Sequence, residues 1–227
     1  MNLRVLVGRW DVAAFVLCVV VFAFFPNLDL RVAASFYDSE LKLFPANDAL
    51  IVEFVYRVFA DIHIPILLLL IGLLIRWRGH QEGVTARRKR QTVFLLTTLL
   101  VGPGLITHTF LKDNSFDRPR PRQIEAFDGA AAYAPPFHYS GECRRNCSFV
   151  SGHAAIGFWF LVFGWALQQR RWFVIGVMIG LLVGGFRVIQ GAHFLSDVVF
   201  AFWVVYFTGL LCRRQLEEPA EDEQDGA

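Results

Sequence analysis

Three short stretches of the chain carry residues suited to phosphoryl chemistry. The first holds Lys112 followed by Arg118-Pro119-Arg120-Pro121, the second is Ser151-Gly152-His153, and in the third Arg187 precedes His193 by six residues and His193 precedes Asp197 by four. A lysine and several arginines can hold phosphoryl oxygens through charge-assisted hydrogen bonds, while two histidines can act as nucleophile and proton donor. Such a set works with neither a metal nor another cofactor.

The spacings assign the parts. On a helix, Asp197 lies one turn from His193 on the same face, so it can accept a hydrogen bond from one ring nitrogen and leave the other as lone-pair bearer. Arg187 stands near the outer end of an apolar run, where a cation needs either a carboxylate such as Asp197 or an anionic ligand. Ser151 and Gly152 open another apolar run, placing unpaired backbone N–H groups at a helix start, with His153 ready to protonate a leaving alkoxide. Taken singly, each has a plainer explanation: an interfacial His–Asp pair, a snorkelling Lys112, a serine cap. Together they point to one phosphate site.

The elements that position these residues are apolar. Of 227 residues, 55% are hydrophobic, 23 are Phe and only 19% are charged, which marks lipid rather than water as the solvent. Runs long enough to cross a bilayer fall at Trp10–Phe25, Ile62–Trp77, Thr92–Leu111, His153–Gln168, Phe173–Ile189 and Phe194–Cys212. The chain is therefore expected to be an all-α integral membrane protein, a bundle of six transmembrane helices. The first run lacks a small-residue cleavage site and is read as retained.

Basic residues between Arg76 and Arg90, at Arg170-Arg171 and at Arg213-Arg214 fall on one side, which predicts cytoplasmic termini. All three motifs then share the opposite, periplasmic face. With a net charge of only +2, no broad basic field invites nucleic acid. Residues 1–216 read as one membrane domain and 217–227 as an acidic disordered tail. Glycines at 180, 184 and 185 are expected at helix contacts.

Two outer segments complete this reading. Pro26 to Asp61 mixes apolar and charged residues and is expected to lie on the periplasmic membrane surface, as an interfacial helix. The Pro- and Gly-rich loop 113–150 is expected to be a lid over the site. Within it Cys143 and Cys147 are close enough in sequence to form a disulfide in an oxidising compartment, whereas Cys18 and Cys212 read as packing residues.

The motif residues resemble the type 2 phosphatidic acid phosphatase superfamily of membrane lipid phosphatases and vanadium haloperoxidases. That family's pattern is Lys, six residues, Arg-Pro; then Pro-Ser-Gly-His; then Ser-Arg, five residues, His, three residues, Asp. Here Phe186 replaces the third motif's serine and Val150 the second motif's proline, while Arg118-Pro119 comes one residue early and Arg120-Pro121 one late. The resemblance implies His193 as nucleophile, His153 as general acid, Asp197 as orienter, and Lys112, Arg120, Ser151, Gly152 and Arg187 as phosphate ligands, with Arg118 a second arginine ligand. The stretches 146–153 and 187–197 are further similar to bacterial lipid A phosphatases of the inner membrane.

The expectation is a lipid phosphatase at the periplasmic face, acting through a phosphohistidine on a lipid such as lipid A. Phosphatidylglycerophosphate, phosphatidic acid and undecaprenyl pyrophosphate are alternative substrates. A lipid-to-lipid phosphotransferase and a non-enzymatic head-group binder or transporter are rival functions, separated by release of free phosphate and by the effect of His193→Ala.

Overall fold

The computed structural model describes residues 9–79, 83–112 and 116–216, so the expected tail at 217–227 lies outside the described residues. The described chain is helical, with the isolated bridges Asp38–Leu43 and Ile124–Ala131 as its only β-type pairing. Helix α1 (Arg9–Phe24) is followed, after a bend of 79°, by α2 (Leu28–Ala34). Pro26 stands at the break, where a residue without an N–H cannot extend the hydrogen-bond ladder.

Helices α3 (Leu50–Asp61) and α4 (His63–Arg76) run on as one 27-residue apolar helix. The helix of the expected Ile62–Trp77 run therefore begins at Leu50, inside the segment expected on the membrane surface. Ile62 keeps helical backbone angles, and its N–H donates to the Val58 carbonyl at 2.9 Å. Pro65 removes the bond to the Asp61 carbonyl four residues earlier, which accounts for the irregular turn without ending the helix.

Helix α5 (Gly83–Leu99) widens into a π-helical segment, Leu100–Lys112, and the two form a 30-residue helix ending at Lys112. Pro103 lies inside the wide stretch. Its missing N–H and crowding ring are tolerated where the ladder is already re-registered. The chain continues through α6 (Gly152–Trp159), α7 (Val162–Ala166), α8 (Arg170–Ile189) and α9 (Leu195–Cys212).

Among the described residues four helices are long and apolar enough to cross a membrane, or five if the bent α1–α2 pair is one span; α6 and α7 supply a shorter apolar helix, Gly152–Ala166. Leu68 and Leu69 on α4 and Met178, Leu181 and Leu182 on α8 are exposed, as apolar side chains facing lipid would be.

The centre is α6 packed on α8. A Cβ at Gly157 would lie 3.0 Å from the Gly180 Cα, one at Gly180 would lie 2.0 Å from the Phe158 ring, and one at Gly184 would meet Val198 at 2.3 Å. The first brings two backbones together, and the other two seat a neighbouring side chain against a bare Cα. Gly185, also expected at a contact, has no atom within 4 Å of a Cβ position and faces outward from the packing. Phe158, Trp159, Leu161 and Val162 are buried in the adjoining core with Phe94 and Val205.

Candidate active site

His193 sits in the tight connection between α8 and α9, fully buried. Its backbone N–H donates to the Arg187 carbonyl at 3.2 Å. Gly191 makes the turn possible with φ +61°, and its bare Cα admits the Phe44 ring, which would lie 2.4 Å from any Cβ. The imidazole is oriented from Nδ1, which lies 2.8 Å from the Ser148 carbonyl and 3.3 Å from Asp197 Oδ2. A carbonyl accepts only, so Nδ1 carries the proton and Nε2 the lone pair. Nε2 is buried with no hydrogen-bond partner. Burial pushes the His193 pKa well below the usual histidine value, and Arg120, Arg187 and Lys112 push it the same way.

Asp197, at the first turn of α9, has more duties than its spacing suggested. It accepts from the Phe194 N–H at 2.8 Å, from the Ser148 hydroxyl, and from Arg118 Nη1 at 2.8 Å, while its own carbonyl accepts the Ser151 N–H at 3.1 Å. It thereby ties the start of α9 to the start of α6. The expected orienter of His193 shares that task with the closer Ser148 carbonyl.

Arg118 is the one expected phosphate ligand whose placement argues otherwise. Its guanidinium is 1% exposed and all three nitrogens are engaged: Nε with the Ala134 carbonyl at 2.9 Å, Nη1 with Ser196 and Asp197 at 2.8 Å, and Nη2 with Asp29 at 2.7 Å. Phe194 covers its face, with the guanidinium carbon 4.1 Å from the ring centre. Four of its five N–H groups are taken up in this way, and the side chain is buried away from any substrate. Burial of a cation between two carboxylates is the cause, since removing either partner would strand charge in an apolar interior.

Arg120 is less occupied. Its Nε and Nη2 donate to the Asn146 carbonyl at 3.3 and 3.0 Å, and burial lowers its pKa from the ordinary arginine value. Cys143 and Cys147 are joined in a disulfide with Cα atoms 5.7 Å apart, so the segment that meets Arg120 through Asn146 and His193 through Ser148 is covalently closed at its near end.

At the start of α6, Ser151 Oγ caps the Ala154 N–H at 3.4 Å. A Cβ on Gly152 would lie 2.9 Å from His108 Nε2 and 3.6 Å from Lys112 Nζ, which places the end of the π-helical segment directly against this turn. His153 Nε2 is buried with no hydrogen-bond partner, as is Arg187 Nε, while Arg187 Nη1 donates to Gln190 at 2.5 Å. Tyr56 of α3 joins the two: its ring stacks on His153 with centroids 4.9 Å apart, and the Arg187 guanidinium carbon lies 4.6 Å from the Tyr56 ring centre. Among the described residues, no group of three or more His, Cys, Asp or Glu is arranged to hold a metal ion.

Lys112, Arg120, Ser151, Gly152, His153, Arg187, His193 and Asp197 thus come together from five parts of the chain. Asp29 and Tyr56 were not foreseen. An aspartate inside the apolar stretch after Pro26 was a usable signal, because buried acids need a partner. Tyr56 carried none.

A scan with protein-family profiles matches residues 91–220 to the PAP2 superfamily. The lipid A 4′-phosphatase of Francisella tularensis subsp. novicida (strain U112) is 34% identical over 204 residues, covering 82% of this chain and 88% of that protein. The lipid A 4′-phosphatase of Rhizobium leguminosarum is 29% identical over 221 residues, covering 90% and 94%. A lipid A 1-phosphatase of Rhizobium etli is 30% identical over 147 residues, 60% of each chain. No solved structure matches this chain. A family match over more than half the chain, together with relatives aligned over most of their length, makes this protein a member of the PAP2 superfamily.

Proposed function

We propose that the chain is a lipid phosphatase that removes a phosphate monoester from lipid A by way of a phosphohistidine. The observation that carries this is His193, whose Nδ1 is fixed by the Ser148 carbonyl while Nε2 stays buried and unpartnered in the field of Lys112, Arg120 and Arg187. In the first step Nε2 attacks phosphorus, a P–N bond forms, and the P–O bond to the sugar breaks as His153 gives its proton to the departing oxygen. In the second, His153 takes a proton from water as its oxygen attacks phosphorus, and the P–N bond breaks to free phosphate. Lys112, Arg120, Arg187, the Ser151 hydroxyl and the Gly152 N–H hold the phosphoryl oxygens through both steps. Asp197 positions His193, and Arg118 supports Asp197.

Residues 1–216 form one membrane domain in this reading. Six crossings are supported by six apolar helical units, namely α1, α3–α4, α5 with its π-helical segment, α6–α7, α8 and α9. The distribution of basic loop residues supports a site at the periplasmic face of a bacterial inner membrane, a compartment that suits the 143–147 disulfide, and in this reading loop 113–150 is its lid. The names of the relatives favour lipid A over other lipid phosphates.

The test is phosphate release by purified wild type and His193→Ala in detergent, against lipid A, phosphatidylglycerophosphate, phosphatidic acid and undecaprenyl pyrophosphate. Release from lipid A that His193→Ala abolishes supports the reading. Equal rates in the two proteins, or none from any of the lipids, would sink it.

A further inference from the structure

Beside the phosphate cradle lies a cavity of about 410 Å³ between α4, the π-helical segment and α6. It touches His153, Gly152 and Lys112, whereas His193, Arg120 and Arg187 are not among its lining residues. It therefore adjoins the proton donor of the proposed mechanism, on the side where the alcohol must depart. Leu67, Leu99, Leu100 and Ile156 make much of its wall apolar, as an acyl chain requires. His63 interrupts that wall. It opens α4, and its Nδ1 is buried with no hydrogen-bond partner. A ring nitrogen buried without a partner beside the cavity is a cost that a small turn of the ring toward a ligand's hydrogen bond would remove.

We propose that this cavity is the subsite for the leaving alcohol and that His63 determines its specificity, by hydrogen bonding to a hydroxyl or amide of an acylated sugar. The proposal rests on the phosphatase reading above. Diacylglycerol, the alcohol that would leave from phosphatidic acid, presents only ester oxygens there, which can accept from an imidazole N–H but cannot donate to its lone-pair nitrogen, whereas a sugar hydroxyl or amide N–H can donate to it.

Steady-state kinetics of wild type, His63→Leu and His63→Gln on lipid A and on phosphatidic acid test it. In His63→Leu the KM for lipid A should rise at least about tenfold with kcat changed less than about threefold, the signature of lost ground-state binding, and His63→Gln should recover most of the loss. The kcat/KM ratio of lipid A to phosphatidic acid should fall in step. An unmoved KM, or the same proportional loss on both lipids, as a folding defect would produce, overturns the role of His63. Absence of His193-dependent phosphate release in wild type is a different result, and it would overturn the phosphatase reading itself.

Discussion

The Tyr56 ring stacks on the His153 imidazole at 4.9 Å with an angle of 22° between the planes, and the Arg187 guanidinium lies 4.6 Å from the centre of the same Tyr56 ring. One aromatic side chain from α3 thereby holds the spacing between the proposed proton donor and a proposed phosphate ligand. Stacking needs the ring and not the hydroxyl. Tyr56→Phe should keep kcat within about twofold of wild type, while Tyr56→Leu should lower it about tenfold, the scale of a lost aromatic pair. Initial rates of phosphate release would show the difference, and equal losses in both variants would remove the ring from the account.

Arg118 and Arg120 stand two residues apart and should fail differently. Arg118→Gln strands Asp29 and Asp197 in the interior, so it should cost about 3–5 kcal/mol of stability, visible as a large drop in the detergent melting temperature. The double variant Asp29→Asn, Arg118→Gln should regain part of that loss, because one of the stranded charges is gone. Arg120→Gln should melt near wild type and lose phosphate release about a hundredfold, on the scale of one buried charge-assisted contact. If Arg120→Gln melted lower than Arg118→Gln, the assignments would be reversed.

His193 must be neutral to attack, and burial with three cations lowers its pKa. A depressed pKa keeps the ring neutral as pH falls, so activity should persist below the ordinary histidine value of about 6.5 before its acid limb appears. Removing one cation weakens the depression. The acid limb of kcat/KM in Arg120→Gln should therefore move to higher pH than in wild type, and a shift to lower pH would contradict the placement of Arg120 beside His193. The sign for folding is opposite: an unfolded chain binds a proton that buried His193 refuses, so stability is expected to decline as pH drops below about 6.5.

The Cys143–Cys147 bridge closes the segment whose Asn146 carbonyl holds Arg120 and whose next residue, Ser148, holds His193. Opening it frees both acceptors together. The double variant Cys143→Ser, Cys147→Ser should lose about tenfold in kcat/KM, comparable to one weakened charge-assisted bond, and reductant should have the same effect on wild type and none on the variant. Undiminished activity in the variant would leave the bridge without a part in the site.

The grouping of most candidate residues was legible because phosphoryl chemistry would demand particular residue types at fixed spacings. His193 and Asp197 are four residues apart, close enough for one to orient the other, and Ser151-Gly152-His153 reads as the opening of an apolar helix. The partners of those residues were not legible in the same way. Arg118 and Arg120 present the same side chain followed by the same proline, and partners remote in sequence, Asp29 89 residues before Arg118 and Ser196 and Asp197 well beyond it, decide which is consumed internally. Asp29 and Tyr56 also lie before the stretch at 91–220 that matches the family, so a reading anchored on shared motifs passes them by. In the fold, apolar runs located the helices, but length alone did not show that residues 50–61 continue into α4. Local charge there suggested a surface, whereas the unbroken backbone at Ile62 joins the two.

The widened turns of Leu100–Lys112 set the phase at which Lys112 leaves its helix and meets Gly152. Position along the chain and angle around the axis are coupled there. Shortening the α-helical turns of α5 ahead of this stretch by a single residue, with every motif residue left intact, would swing Lys112 by about 100° about the axis. The motif residues alone therefore do not define the site. What has to be preserved is the angular setting of the amine, and insertions and deletions in that helix are as consequential as substitutions at the site.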